Sequence, residues 1–135
     1  MRILDVNTEK RHIGNIGEDL ACEFLKSKRY KILNRNYSTD FGEIDIICCK
    51  KRTFYFVEVK TRRKDRMTPK EPRPASSVTP EKQRKILSVA NYYKKASKKN
   101  YRMQFDVIEV ILDGEGHEIK HLENTISYNS AHDYG

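Results

Sequence analysis

The stretch "GEIDIICCKKRTFYFVEVK" (residues 42–60) contains two β-forming runs separated by a short basic segment. A two-residue hairpin turn at Lys51 and Arg52 would pair the two runs and place Asp45 directly opposite Glu58. Both runs are apolar on both faces apart from a few charges, which is typical of central strands covered on each side. An uncompensated charge is unfavourable in such a strand. The pattern therefore requires something that compensates two facing carboxylates.

The alternation of side chains along a strand places Lys60 on the same face as these two acids. That face also carries Phe54 and Phe56, and the opposite face is predicted to carry Ile44, Ile46, Tyr55, Val57 and Val59. Two carboxylates match Mg²⁺ or Mn²⁺, which prefer oxygen ligands and retain water that acts as a nucleophile. Lys60 would orient that water or stabilise charge on a phosphoryl group. The constellation predicts metal-assisted phosphodiester hydrolysis, and the alternative is a buried Asp-Lys-Glu ion-pair cluster without a metal.

The rest of the chain predicts one α/β domain over residues 1–135 with the order α-β-β-β-α-β-β. A second helix is expected to begin after a Thr79 cap with Pro80 in its first turn. Residues 61–78 contain three prolines, many basic residues and no periodicity, which predicts a long basic loop. Residues 129–135 are expected to be a loose tail. The helices are predicted at residues 7–30 and 80–97, and the strands at 30–37, 42–49, 53–60, 103–112 and 117–123.

Positive charge is concentrated in one part of the chain. The net charge is +8, and residues 50–102 hold 18 Lys and Arg against four Asp and Glu. Such a field attracts polyanions, of which nucleic acids are the commonest in cells, although a well-solvated basic surface is the alternative. No apolar run is long enough to span a membrane, so a cytoplasmic protein without membrane contact is expected.

The segment "HEIKH" (residues 117–121) fits the H-E-x-x-H signature of zinc metalloproteases. That chemistry requires a helix that holds both histidines on one face. Gly114 and Gly116 precede the segment and predict a turn followed by a strand. The zinc interpretation is therefore rejected in favour of a short last strand.

Four segments together carry a resemblance to a known family. They are "GNIGEDLACEFLKSKRYKILNRNY", "GEIDIICC", "FVEVKTR" and "FDVIEV", in this order and at these separations. As an ordered set they resemble the YraN-like family of predicted endonucleases, of the restriction-endonuclease-like, PD-(D/E)xK superfamily. The resemblance implies a central mixed β-sheet flanked by helices. It also implies Asp45 and Glu58 as metal ligands, Lys60 as the catalytic lysine, and Glu18 on the first helix as an additional acid at the metal.

The function implied by the resemblance is a Mg²⁺- or Mn²⁺-dependent endonuclease that acts on DNA, with structured or branched DNA as the expected substrate. Arg62, Arg63, Lys82 and Arg84 are predicted to contact phosphates, so binding would show little sequence specificity. A junction-resolving activity would require a homodimer with two-fold symmetry. The alternatives are a non-catalytic nucleic-acid-binding module of the same fold and a basic scaffold protein that binds other macromolecules.

Two further features of the sequence have open interpretations. Gly14 and Gly17 favour a close approach of the first helix to another segment. Asp106 lies in an apolar strand, where it would cap a backbone group or pair with Arg35 or Arg102. It is left outside the predicted catalytic set.

Overall fold

A computed structural model describes residues 6–66 and 79–126 of the protein. Its described part is a five-stranded sheet in the order β1-β2-β3-β4-β5, flanked by two helices. The order along the chain confirms the predicted α-β-β-β-α-β-β arrangement. The elements are α1 (Val6–Ser27), β1 (Lys31–Thr39), β2 (Gly42–Lys50), β3 (Thr53–Arg63), a 3-10 turn (Lys64–Arg66), α2 (Pro80–Ser97), β4 (Arg102–Asp113) and β5 (Gly116–Leu122).

The predicted hairpin between β2 and β3 is present with the predicted register. Ile47 pairs with Phe56. Lys51 and Arg52 have φ values of 49° and 59°, which suit the type I′ turn that joins twisted antiparallel strands. The ladder ends at the pair of Ile46 and Val57. The prediction that Asp45 and Glu58 face each other across the ladder is wrong, because both residues lie just beyond its last pair.

Each face of the sheet carries its own apolar core. The core beneath α1 contains Ala21, Cys22, Leu25, Ile46, Cys48, Val57, Ile108 and Val110. The core beneath α2 contains Ile44, Ile47, Phe54, Phe56, Val89, Ala90, Phe105 and Ile126. The prediction that Ile44 shares a face with Ile46 is wrong, because strict alternation fails where β2 leaves its ladder with β3.

The parallel pairing of β3 with β4 determines where the second helix begins. A connection between parallel neighbours must return along the sheet, and here α2 is part of that connection. The first turn of α2 thus lies at the same end of the sheet as the carboxyl end of β3. In such sheets the crevice beyond the carboxyl ends of the strands is the usual place for a ligand.

Strand β3 is longer than predicted. Its pairing with β4 continues to Arg63 opposite Leu112, and a 3-10 turn follows. The predicted loop therefore begins later than residue 61, because β4 supplies hydrogen-bond partners for a charged stretch that has no strand-like pattern of its own. Residues 67–78 of that loop and the predicted tail at 129–135 lie outside the described residues.

The "HEIKH" segment lies in β5, which confirms the strand prediction and removes the helix that zinc protease chemistry needs. Neither described helix is long and apolar enough to cross a membrane.

Candidate active site at the carboxyl end of β3

Glu58 and Lys60 lie on the same face of β3, one pleat apart. The Lys60 ammonium is 3.4 Å from Glu58 Oε1, and the two side chains are 30% and 17% exposed. This ion pair holds a carboxylate and an ammonium group together at the edge of the core beneath α2. The alternation of side chains along the strand predicted this placement of Lys60 beside Glu58.

Asp45 belongs to the same region through an unusual contact. Its Oδ2 accepts a hydrogen bond of 2.8 Å from the backbone N–H of Val59. Burial, opposed by the Val59 hydrogen bond and reinforced by the nearby carboxylates of Glu18 and Glu58, raises the pKa of Asp45 to about 6. Asp45 is thus a partly buried acid within electrostatic range of two others.

The carboxylate of Glu58 is unevenly satisfied. Its Oε1 accepts a hydrogen bond from the Lys82 ammonium and forms an ion pair with the Lys60 ammonium. Its Oε2 is buried and has no hydrogen-bond partner among the residues that the structure describes. A buried carboxylate oxygen without a donor is unfavourable and calls for an explanation, and a cation is one that suits an oxygen ligand. The carboxylate oxygens of Asp45 and Glu58 therefore fit a hard divalent metal ion.

Glu18 reaches the region because α1 approaches β3 very closely at Gly17. A Cβ atom added at Gly17 would lie 1.8 Å from Thr61 Oγ1, whereas one added at Gly14 would meet nothing within 4 Å. The predicted close approach is confirmed for Gly17 alone. Glu18 accepts from Asn36 at 3.3 Å and pairs with Arg35 at 3.5 Å, so its side chain is held toward β1.

Asp45 stands between two neighbouring cavities. One is lined by Asp45, Glu58 and Lys82, and the other by Asp45 and Glu18. Among the described residues, the acidic and histidine group whose ligand atoms all lie within 4.8 Å of one another is Asp106, His121 and Glu123. The three predicted metal-site acids are therefore farther apart than that group. Asp45 and Glu58 line one cavity, and Glu18 lines the other cavity, on the far side of Asp45.

The predicted phosphate-contacting residues have different surroundings. Arg62 is 3.4 Å from Glu109, a buried acid of β4. Arg63 pairs with Glu9 at 3.1 Å and with Asp65 at 2.9 Å. Arg84 is exposed on α2.

Lys82 lies inside the site rather than on a surface track. It pairs with Glu58, and although burial lowers its pKa, the hydrogen bond and charge of Glu58 outweigh that effect and leave the pKa raised. No short-range sequence pattern links Lys82 to Glu58, because the two lie on separate elements. The sequence contains only a weak signal that Lys82 belongs to the site. Lys82 lies three residues after the helix cap, where the positive end of the helix dipole disfavours a lysine.

Asp106 is explained by its hydrogen bonds. Its Oδ1 accepts from the backbone N–H of Asn124 and the side-chain amide of Gln104, both at 3.0 Å. Its Oδ2 lies 2.8 Å from His121 Nε2. The alternative that Asp106 caps a backbone group is confirmed, and Arg35 pairs instead with acids of α1.

Comparison with known proteins identifies a family to which this chain is similar. The family model described as uncharacterised protein family UPF0102 matches residues 17–110. The chain is similar to the UPF0102 protein of Caldicellulosiruptor saccharolyticus, with 45% identity over 105 residues, 77% of this chain and 86% of the relative. It is also similar to those of Syntrophomonas wolfei (37% over 115 residues, 84% and 96%) and Alkaliphilus oremlandii (41% over 117 residues, 84% and 97%). These matches confirm the YraN-like resemblance at the level of the family.

Proposed function

The chain belongs to the uncharacterised protein family UPF0102, and we propose that it is a metal-dependent nuclease of the restriction-endonuclease-like superfamily. Its expected substrate is structured or branched DNA, cut with little sequence specificity. The single observation that supports this best is the buried Oε2 of Glu58, which has no hydrogen-bond partner in the described part of the chain. The same carboxylate pairs with Lys60 through Oε1 and shares a cavity with Asp45.

In this proposal Asp45 and Glu58 would hold one Mg²⁺ or Mn²⁺ ion, and Glu18 would act as an additional acid on the far side of Asp45. The metal would supply Lewis-acid activation of the phosphodiester and of the attacking water. The protein's own contribution is electrostatic. Asp45 is fixed by the Val59 N–H, so one carboxylate oxygen is oriented before any ligand arrives.

Lys60 would donate a hydrogen bond to a non-bridging phosphoryl oxygen or orient the attacking water. Its ammonium is anchored at 3.4 Å from Glu58, which keeps it beside the expected position of the scissile phosphate. A fixed cation that faces the charge developing in the transition state accelerates the reaction more than a mobile one. Arg84 and the net positive charge of residues 50–102 favour phosphate contacts that position DNA without reading its sequence.

The proposal is tested by incubating the protein with labelled four-way junctions, flaps, duplexes and single strands in Mn²⁺ or Mg²⁺. Cleavage by the wild type is expected, with a loss of at least about 100-fold in Asp45→Asn and in Lys60→Ala. Glu23→Gln and Lys26→Ala are matched controls, because both change exposed residues of α1. Cleavage that survives at the wild-type rate in Asp45→Asn would contradict the proposal.

A second candidate is a nucleic-acid-binding module of the same fold that does not cut. It is favoured by the two lysines that already neutralise Glu58 Oε1. This candidate predicts salt-dependent binding of the same DNA panel, with no cleavage in any metal.

A further inference from the structure

The two lysines at Glu58 come from different elements and have different freedom. Lys60 lies in the part of β3 that pairs with β4, opposite Glu109. Lys82 reaches Glu58 from the first turn of α2, and its side chain is 39% exposed. The Lys82 side chain is partly exposed to solvent at the start of a helix, whereas the Lys60 backbone is held within a paired strand.

Glu58 already has two positive neighbours without a metal, the ammonium groups of Lys60 and Lys82. Asp45 supplies a further carboxylate at the same cavity. A divalent cation bound to the same two carboxylates would add two further positive charges beside both ammonium groups. Like charges at such short range repel strongly in a partly buried site.

We propose that Lys82 is an internal counter-ion that occupies Glu58 in the metal-free protein and is displaced when a divalent cation binds. This inference rests on the proposed function, because it concerns the same metal site. Lys82 thus competes with the metal for Glu58, and its release sends an ammonium group toward solvent at the mouth of the cavity, where a substrate phosphate would lie.

The local structure of α2 supports this role. Thr79 caps the helix through the hydrogen bond from the Lys82 backbone N–H to Thr79 Oγ1, at 3.2 Å. This bond fixes the Cα position of Lys82 while leaving its long side chain free to change rotamer. A lysine near a helix N-terminus is disfavoured by the helix dipole, so the Glu58 carboxylate is what holds the ammonium inward.

Calorimetric titration with Mn²⁺ tests the inference without measuring activity. Lys82→Ala and Lys82→Gln remove the competing charge and are expected to bind Mn²⁺ about fivefold or more tightly than the wild type, the size expected for loss of a partly exposed ion pair. Lys85→Ala is the matched control, because Lys85 lies on the same helix, is exposed and pairs with Glu81 at 3.7 Å. Its Mn²⁺ affinity is expected to equal that of the wild type.

Stability measurements provide a second readout. In EDTA both Lys82 variants should unfold at lower urea concentration than the wild type, and saturating Mn²⁺ should narrow that difference. Failure of both variants to fold even with saturating Mn²⁺ would overturn the inference, because a cation that replaces the ammonium restores the charge balance.

The outcomes separate this inference from the proposed function. Mn²⁺ binding to the wild type with unchanged or weaker affinity in both Lys82 variants overturns the counter-ion role alone. No Mn²⁺ binding to the wild type or to either variant overturns the metal site itself, and the counter-ion role with it.

Discussion

Replacing Asp45 with Asn should make the protein more stable at neutral pH. Asp45 is partly buried near Glu18 and Glu58, and its pKa is raised from 3.8 to about 6. An acid with a raised pKa holds its proton more tightly in the folded state, so the folded state loses stability as pH rises from about 4 to about 6. Above that window the ionised carboxylate destabilises the fold by up to about 3 kcal/mol.

Asn keeps the oxygen that accepts from the Val59 N–H and removes the charge. Allowing for partial solvent screening, Asp45→Asn should raise the free energy of unfolding by about 1.5–3 kcal/mol at pH 8. The gain should fall to about 1 kcal/mol or less at pH 4.5, where much of Asp45 is protonated in the folded wild type. Urea denaturation of both proteins at the two pH values, in EDTA, measures this difference.

Glu23→Gln is the matched control, since it neutralises an exposed acid of α1 and should change stability by less than about 0.5 kcal/mol. Mn²⁺ should stabilise the wild type and have little effect on Asp45→Asn. An Asp45→Asn protein that is less stable than the wild type at pH 8 would show that the ionised Asp45 carboxylate does not destabilise the fold. That result would favour the structural alternative, in which Asp45 belongs to a stabilising ion-pair cluster.

Three further changes test how the site is held in place. Gly17→Ala should destabilise the fold by about 1–3 kcal/mol in urea denaturation, because the new Cβ would overlap Thr61. Gly14→Ala is the control and should not be destabilising. Equal effects of the two substitutions would contradict the close approach of α1 to β3. Thr79→Ala should cost about 1 kcal/mol in the same assay by removing the cap of α2, and an unchanged midpoint would mean that the cap contributes nothing. Asp106→Ala should cost about 3 kcal/mol or more, because it leaves buried donors unpaired, and a loss below 1 kcal/mol would show that water replaces the carboxylate.

Local patterns predicted much of the fold because the forces that set them are local. Thr79 and Pro80 fix the start of α2 through capping and a preset φ, and the helix begins at Pro80 as expected. The hairpin register followed from the length of its turn, even though Lys51 and Arg52 are uncommon residues for left-handed φ values.

The parts that were not predicted depend on contacts between distant segments. The extension of β3 to Arg63 depends on its pairing with β4. The ladder between β2 and β3 ends at Val57, and the backbone N–H of Val59 donates to the Asp45 side chain instead of to β2. The position of Lys82 follows from the crossover that returns α2 toward the carboxyl end of β3. No periodicity within either segment carries that information.

The central claim is that Asp45 and Glu58 bind one divalent cation beside Lys60. Anomalous diffraction from crystals soaked in Mn²⁺ tests it most directly. A single strong peak is expected about 2 Å from a carboxylate oxygen of each acid. A Mn²⁺ peak only at Asp106, His121 and Glu123, or no peak at either place with saturating metal, would contradict it.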